Sequence, residues 1–163
     1  MEAKKIGILL ILFMLVGGFA IAPYVQQAAF VQPAANAPAL ELPDTNIVDY
    51  ELTSRQETAL LQQGKTIVKL EYKLDCQSCF ETKGFLEQLA NNQQFKYQMV
   101  VEEVLSPSSE LPKVSILGFA MAGNQIGIAQ KSFTGANVTQ DNIVGTLCDV
   151  MLQPPPQCTL RNA

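Results

Sequence analysis

The sequence predicts an α/β domain preceded by an apolar N-terminal segment. Apolar periodicity between residues 46 and 152 gives the order β-α-β-α-β, followed by a β-hairpin and a last helix. Two cysteines, Cys76 and Cys79, stand where an alternating strand pattern ends and a helical pattern begins. With 163 residues, the chain is long enough for one small domain with an appendage.

The N-terminal segment contains an uncharged apolar run of 17 residues, Ile6 to Ala22, which follows Lys4 and Lys5. Such a run is typical of a signal peptide or a membrane anchor. Proline follows each candidate cleavage site, at Pro23 and Pro38, which favours an uncleaved anchor. The lysines before the run predict a single-pass protein with its N-terminus in the cytoplasm and its domain outside.

Composition divides the chain into four parts. Residues 1–25 form the cytoplasmic start and the anchor, and residues 26–45 form a tether rich in Ala, Pro and Gln. Residues 46–152 form the folded domain, and residues 153–163 form a proline-rich tail. The functional site is expected in the third part, because it contains Cys76 and Cys79.

Composition also excludes several classes of function. The net charge of −4 argues against nucleic-acid binding, which needs a basic surface. The chain has no histidine, which excludes hydrolases with a histidine base and most zinc sites, and we expect no metal or other cofactor. Its four cysteines, an even number, are typical of a protein from an oxidising compartment.

Each element of the domain is predicted from its apolar spacing and from capping or turn residues at its ends. Ser54 and Glu57 match a capping box at the start of the first helix, and Gly64 ends that helix. The predicted strands are 47–52, 66–74, 95–104, 112–117 and 125–129, and the predicted helices are 54–63, 80–90 and 140–152.

Cys76 and Cys79 are candidates for a redox-active pair. The first turn of a helix presents unpaired N–H groups and the positive end of the helix dipole, and both favour a thiolate at Cys76. Cys79, three residues later, is placed to resolve a mixed disulfide. One alternative is a static disulfide of an exported protein. Another is half of a metal site, which needs further ligands from elsewhere in the chain.

Three local features support a more specific assignment. The first is the stretch Leu70-Glu71-Tyr72-Lys73-Leu74-Asp75-Cys76-Gln77-Ser78-Cys79 at the strand–helix junction. The second is Leu111-Pro112-Lys113-Val114-Ser115-Ile116 before the hairpin, and the third is Gly135 after it. In this order they resemble the thioredoxin-like superfamily, over about residues 46 to 152. The resemblance implies a three-layer β-α-β-α-β-β-α sandwich.

The resemblance also implies thiol–disulfide exchange on exported proteins that contain cysteines, together with an unidentified redox partner. It implies a cis bond before Pro112, which would turn the backbone of Leu111 toward an incoming peptide. The alternative is an ordinary trans proline at the start of a strand. The implied catalytic residues are Cys76, Cys79, Pro112 and Glu71, and the implied substrate-binding residues are Leu111, Gln77 and Ser78.

Glu71 has two interpretations. In the first it is the buried carboxylate of the superfamily, whose pKa is raised by burial and which moves protons for Cys79. In the second it belongs to a solvated face of the strand, together with Lys69 and Lys73.

Cys148 and Cys158 are expected to form a structural disulfide that attaches the tail to the last helix. The alternative for this pair is a second, shuttling dithiol. For the whole protein, two alternatives to an oxidoreductase remain. One is a redox-inert binding module whose cysteines are all structural, and the other is a carrier that delivers a metal ion through Cys76 and Cys79.

Overall fold

The computed structural model describes residues 40–122 and 125–159. These residues belong to a compact unit that begins at Leu40. The predicted anchor, and the predicted tether as far as residue 39, lie outside the described residues. Within the described part of the chain, no helix is long and apolar enough to cross a membrane.

A mixed sheet of five strands forms the centre of the unit, which confirms the predicted α/β class. The strands are β1 (Ile47–Val48), β2 (Thr66–Tyr72), β3 (Met99–Leu105), β4 (Lys113–Ala122) and β5 (Gln125–Thr134). The helices are α1 (Ser54–Gln62), α2 (Gln77–Asn91), α3 (Gln140–Val150) and the short α4 (Pro156–Thr159), with a 3-10 turn at Gly135–Asn137. The strand order is β1-β3-β2-β4-β5, in which β1, β2 and β3 are parallel and β4 is antiparallel to both of its neighbours.

The capping box of α1 lies one residue earlier than predicted. Thr53, not Ser54, has extended backbone angles (φ −73°, ψ 153°), and its hydroxyl accepts the N–H of Gln56. The Gln56 side chain in turn accepts the N–H of Thr53 at 2.9 Å. Thr53 with Gln56 and Ser54 with Glu57 both match the capping pattern. In the structure Thr53 is the cap, and Ser54 is the first residue of the helix.

Several strand boundaries also differ from the prediction. The first strand is short because the chain leaves the sheet edge, and Leu52 then donates its N–H to the Glu102 carboxylate at 3.3 Å. The third strand begins at Met99 instead of Phe95, because residues 92–98 form hydrogen-bonded turns. The hairpin strands are each 10 residues long, since they continue to pair with each other beyond the part that pairs with β2.

Two apolar cores lie on opposite faces of the sheet, so helices cover both faces. Alternation along β2 sends Leu70 to one face and Ile67 to the other. Helices α2 and α3 pack on the first face through Leu86 and Leu147, and α1 packs on the second through Leu60. Full burial of each such leucine stabilises the fold by roughly 1.5–3 kcal/mol.

The two ends of the sheet carry different features. The three parallel strands begin at what we call the arm end, where β4 and β5 extend past Leu117, the last β4 residue paired with β2. They finish at the dithiol end, where β2 leads through Cys76 into α2. Helix α2 begins at Gln77, three residues before its predicted start, so both cysteines lie in or beside its first turn.

The tail is attached to α3 by a disulfide between Cys148 and Cys158, whose Cα atoms are 5.4 Å apart. The structure therefore contains the predicted bond. The last long helix ends at Val150, and Pro156 then begins α4. Proline is favourable at a first helical position because its missing N–H would have no partner there.

Candidate functional site

Cys76 is the N-cap of α2. Its backbone is extended (φ −114°, ψ 106°), and its sulfur accepts the N–H of Cys79 at 3.2 Å. The carbonyl oxygen of Cys76 accepts the N–H groups of Cys79 and Phe80 at 3.1 and 3.3 Å. The first sulfur thus occupies the position where capping side chains satisfy the unpaired N–H groups of a helix, and a negative charge there is favoured by the helix dipole.

The two cysteines are joined by a disulfide, with sulfurs 2.02 Å apart, and they differ in exposure. Cys79 is fully buried, whereas Cys76 is half-buried. The hydroxyl oxygen of Ser78 lies 3.5 Å from the Cys76 sulfur. Cys76 is therefore the cysteine of the pair that is partly open to solvent, whereas Cys79 is not.

The peptide bond between Leu111 and Pro112 is cis. The carbonyl oxygen of Pro112 accepts the N–H of Gly135 at 2.8 Å, which joins the start of β4 to the turn after β5. Gly135 has φ +54°, a left-handed conformation that glycine adopts without steric cost. This contact brings the second and third features of the sequence together.

A groove of about 510 Å³ lies between α2, the Leu111–Pro112 bond and the start of α3. Its lining combines apolar and polar side chains, with Glu81 as its carboxylate. The lining residues are Ser78, Glu81, Thr82, Phe85, Leu111, Pro112, Gly135, Ala136, Val138, Thr139, Gln140 and Ile143.

Of the predicted substrate-binding residues, Ser78 and Leu111 line this groove together with Pro112, whereas Gln77 does not. The Gln77 side chain is exposed and donates to the Glu81 carboxylate at 3.2 Å. The α3 part of the groove was not predicted from the sequence, because the residues of a helix that meet another helix depend on how both pack on the sheet.

Glu71 does not have the raised pKa that the first interpretation requires. Its carboxylate accepts a hydrogen bond from the Lys113 ammonium at 2.6 Å and another from the Ser106 hydroxyl at 3.1 Å. The hydrogen bond from Lys113 lowers the pKa of Glu71 below its ordinary value. Glu71 also alternates with Leu70, which packs on the α2 side of the sheet, so Glu71 lies on the opposite face from α2.

Sequence reasoning missed Glu103, an acidic residue of β3 whose side chain lies on the α2 side of the sheet. Glu103 is buried and forms an ion pair with Lys83, one helical turn after Cys79. The Lys83 nitrogen also lies 5.6 Å from the centre of the Tyr72 ring. The available signal was the pair Glu102-Glu103 in an otherwise apolar strand, since alternation must send one of them to each face.

Within the described residues, no group of three or more His, Cys, Asp or Glu side chains could hold a metal ion. Comparison with known proteins does not identify the function of this site. No protein family, no curated protein and no solved structure matches this chain.

Proposed function

We propose that the protein catalyses thiol–disulfide exchange through Cys76 and Cys79. The observation that carries this proposal is the disulfide at the start of α2, which joins a half-buried cysteine to a fully buried one. The sheet order, the helices on both faces and the cis bond before Pro112 are consistent with a thioredoxin-like fold. In that fold this pair would be the reactive centre.

The exchange runs in two balanced steps. A substrate thiolate attacks the sulfur of Cys76, which forms a mixed disulfide and releases the thiolate of Cys79. A second substrate thiolate then attacks the substrate sulfur of the mixed disulfide, which forms the substrate disulfide and releases the thiolate of Cys76. Two electrons pass from the substrate dithiol to the cysteine pair, and the same steps in reverse reduce a substrate disulfide.

The environment of Cys76 favours its role as the last sulfur to leave when a substrate is oxidised and the first to attack when a substrate is reduced. In the reduced protein the N–H of Cys79 and the hydroxyl of Ser78 are positioned to donate to a thiolate at Cys76. The 15-residue helix α2 adds the positive end of its dipole, and no acidic residue lies in its first turn to oppose it.

The groove beside the pair provides a place for the substrate chain. Its apolar side chains suit an extended peptide segment, and Glu81 favours a segment that carries a basic residue. The substrates we propose are exported proteins that contain cysteines, and a redox partner restores the pair after each exchange. The proposed location is the outer face of a membrane, with residues 6–22 as the anchor.

A redox-inert binding module is the second candidate. One observation favours it: the lining of the groove includes Ser78 but neither cysteine, so a peptide can occupy the groove without reaching a sulfur. In this case both disulfides are structural and resist mild reductants.

Trapping experiments separate the two candidates. Cys79→Ser should accumulate mixed disulfides through Cys76, because the resolving thiol is absent, whereas Cys76→Ser should accumulate none. Alkylation of the reduced protein should modify Cys76 before Cys79. Equal alkylation rates together with no trapped partner would exclude the exchange reaction. A bond between Cys76 and Cys79 that opens only in strong reductant would support the binding module.

A further inference from the structure

Asn137-Val138-Thr139 is the one triplet of the sequence that has an asparagine, then any residue except proline, then a hydroxyl residue. This pattern is the acceptor for N-linked oligosaccharides on surface loops of exported proteins. A pattern this short also arises by chance, so its place in the fold decides whether a sugar can be attached. The triplet lies between β5 and α3, at the end of the 3-10 turn and in the two residues that follow it.

Asn137 is exposed to solvent at the last position of this turn. Its carbonyl oxygen accepts the N–H of Thr139 at 3.1 Å and the side-chain amide of Asn142 at 2.9 Å. Both hydrogen bonds use the main chain of Asn137. A group attached to the side-chain nitrogen of Asn137 would therefore leave the hydrogen bonds of the turn intact.

Thr139 has a structural role that explains only part of the triplet. It is the N-cap of α3, and its hydroxyl oxygen accepts the N–H of Asn142 at 3.2 Å. Serine, aspartate and asparagine cap helices as well as threonine does, so capping alone does not require a hydroxyl residue here. Capping also gives no reason for an exposed asparagine two positions earlier.

The disulfides indicate a compartment in which such a modification takes place. All four cysteines are paired, as Cys76–Cys79 and Cys148–Cys158. Disulfides persist in oxidising spaces outside the cytosol, which are also the spaces that exported proteins enter. Both bonds lie in the described unit, so they favour an exported protein without reference to the N-terminal segment.

We propose that the side-chain nitrogen of Asn137 carries an N-linked oligosaccharide. This inference rests on the extracytoplasmic location proposed above but not on the exchange reaction. In the transfer, Nδ2 of Asn137 forms a bond to the anomeric carbon of an oligosaccharide that is carried on a lipid phosphate. The bond from that carbon to the phosphate oxygen breaks, the amide loses one proton, and the lipid phosphate leaves. Nothing is oxidised or reduced.

The sugar would stand beside the groove near Cys76 without filling it. Ala136, Val138 and Thr139 line the groove, whereas Asn137 is not part of its lining. Because Asn137 is exposed, an attached oligosaccharide would extend into solvent from the rim of the groove. The proposed modification is therefore compatible with a peptide segment bound in the groove.

Mass spectrometry of the full chain from its natural host tests the proposal. Trypsin should release residues 132–161 as one peptide, because the first cleavage site after Lys131 is Arg161. This peptide should carry the mass of an oligosaccharide, and its fragments should assign the sugar to Asn137 and not to Asn142. An unmodified peptide would overturn the proposal.

Three variants separate the acceptor from the helix cap. Asn137→Gln should abolish the sugar while the Thr139 hydroxyl still caps α3. Thr139→Ser should keep both the sugar and the cap, whereas Thr139→Ala should lose both. Sugar on the peptide of Asn137→Gln or of Thr139→Ala would overturn the proposal, since the triplet would then not be the acceptor.

Gln94→Thr is the control for location, because it gives Asn92, in an exposed bend after α2, a threonine two positions later. Sugar at Asn92 with none at Asn137 would show that the domain is exported and would overturn the proposal. Sugar at neither position would also overturn it, and protease added to intact cells would then test the location separately. Removal of the domain by protease would retain the proposed location, whereas a protected domain would overturn the location and the modification together.

Discussion

Glu102→Gln should remove most of the pH dependence that the Glu102 carboxyl group gives to the free energy of unfolding. Glu102 is fully buried on the α1 side of the sheet. One of its carboxylate oxygens accepts the N–H of Leu52 at 3.3 Å, and the other has no hydrogen-bond partner among the described residues. Burial raises the pKa of Glu102 from 4.5 to about 7, against the opposing effects of the Leu52 N–H and of Lys69.

The direction of the effect follows from proton binding. The folded state holds the Glu102 proton more tightly than the unfolded chain does, so the stabilisation is fully present below the unfolded pKa of 4.5 and is lost as pH rises through about 7. At 1.36 kcal/mol per pKa unit, the free energy of unfolding should fall by about 2 kcal/mol between about pH 5 and pH 7 because of this one group. The amide side chain of the Glu102→Gln variant would keep an acceptor for the Leu52 N–H without titrating.

Urea unfolding at a series of pH values measures the effect, with Glu110→Gln, at an exposed loop position, as the control. The difference in unfolding free energy between wild type and Glu102→Gln should change with pH, whereas that between wild type and Glu110→Gln should stay constant. Parallel curves for wild type and Glu102→Gln would refute the reasoning, since they would show that Glu102 is ionised in the folded protein at neutral pH.

Two further predictions concern packing and the tail. A Cβ at Gly118 would lie 2.6 Å from the Val150 carbonyl oxygen, so Gly118→Ala should destabilise the fold by about 1–3 kcal/mol in urea unfolding, whereas Gly127→Ala, which meets no atom within 4 Å, should be nearly neutral. Equal effects of the two changes would show that α3 does not pack closely on β4. Replacement of both Cys148 and Cys158 by Ser should lower the melting temperature, with a loss of about 2–3 kcal/mol, and leave disulfide exchange intact. Loss of exchange at unchanged stability would instead make this pair redox-active.

Local patterns predicted much of the fold. Apolar periodicity indicated each strand and long helix, since every element must bury one face against the sheet. The boundaries were less accurate where two neighbouring positions fit the same pattern. The α1 cap is one example, because Thr53 and Ser54 are both capping residues with a suitable partner three positions later. The hairpin length is another, because β4 and β5 remain paired past the point where β2 begins.

The candidate site, like the fold, was predicted from the sequence only in part. Sequence alone determined that Cys76 and Cys79 lie where a strand meets a helix, because that junction is a local property of periodicity and spacing. Tertiary structure decided that Cys79 is buried, and that the segment carrying Pro112 meets Gly135 across the hairpin. These relations join residues that are distant in the chain, so they depend on strand order and helix packing.

The acidic residues show the physical reason most clearly. The sequence determined that Glu71 and Glu103 lie on strands, but not which partner each carboxylate meets. In the folded protein Glu71 faces Lys113 on an adjacent strand, and Glu103 faces Lys83 from a helix. Alternation assigns each side chain to a face of the sheet, but only the tertiary packing determines which charge lies on that face, and therefore which carboxylate is near the dithiol helix.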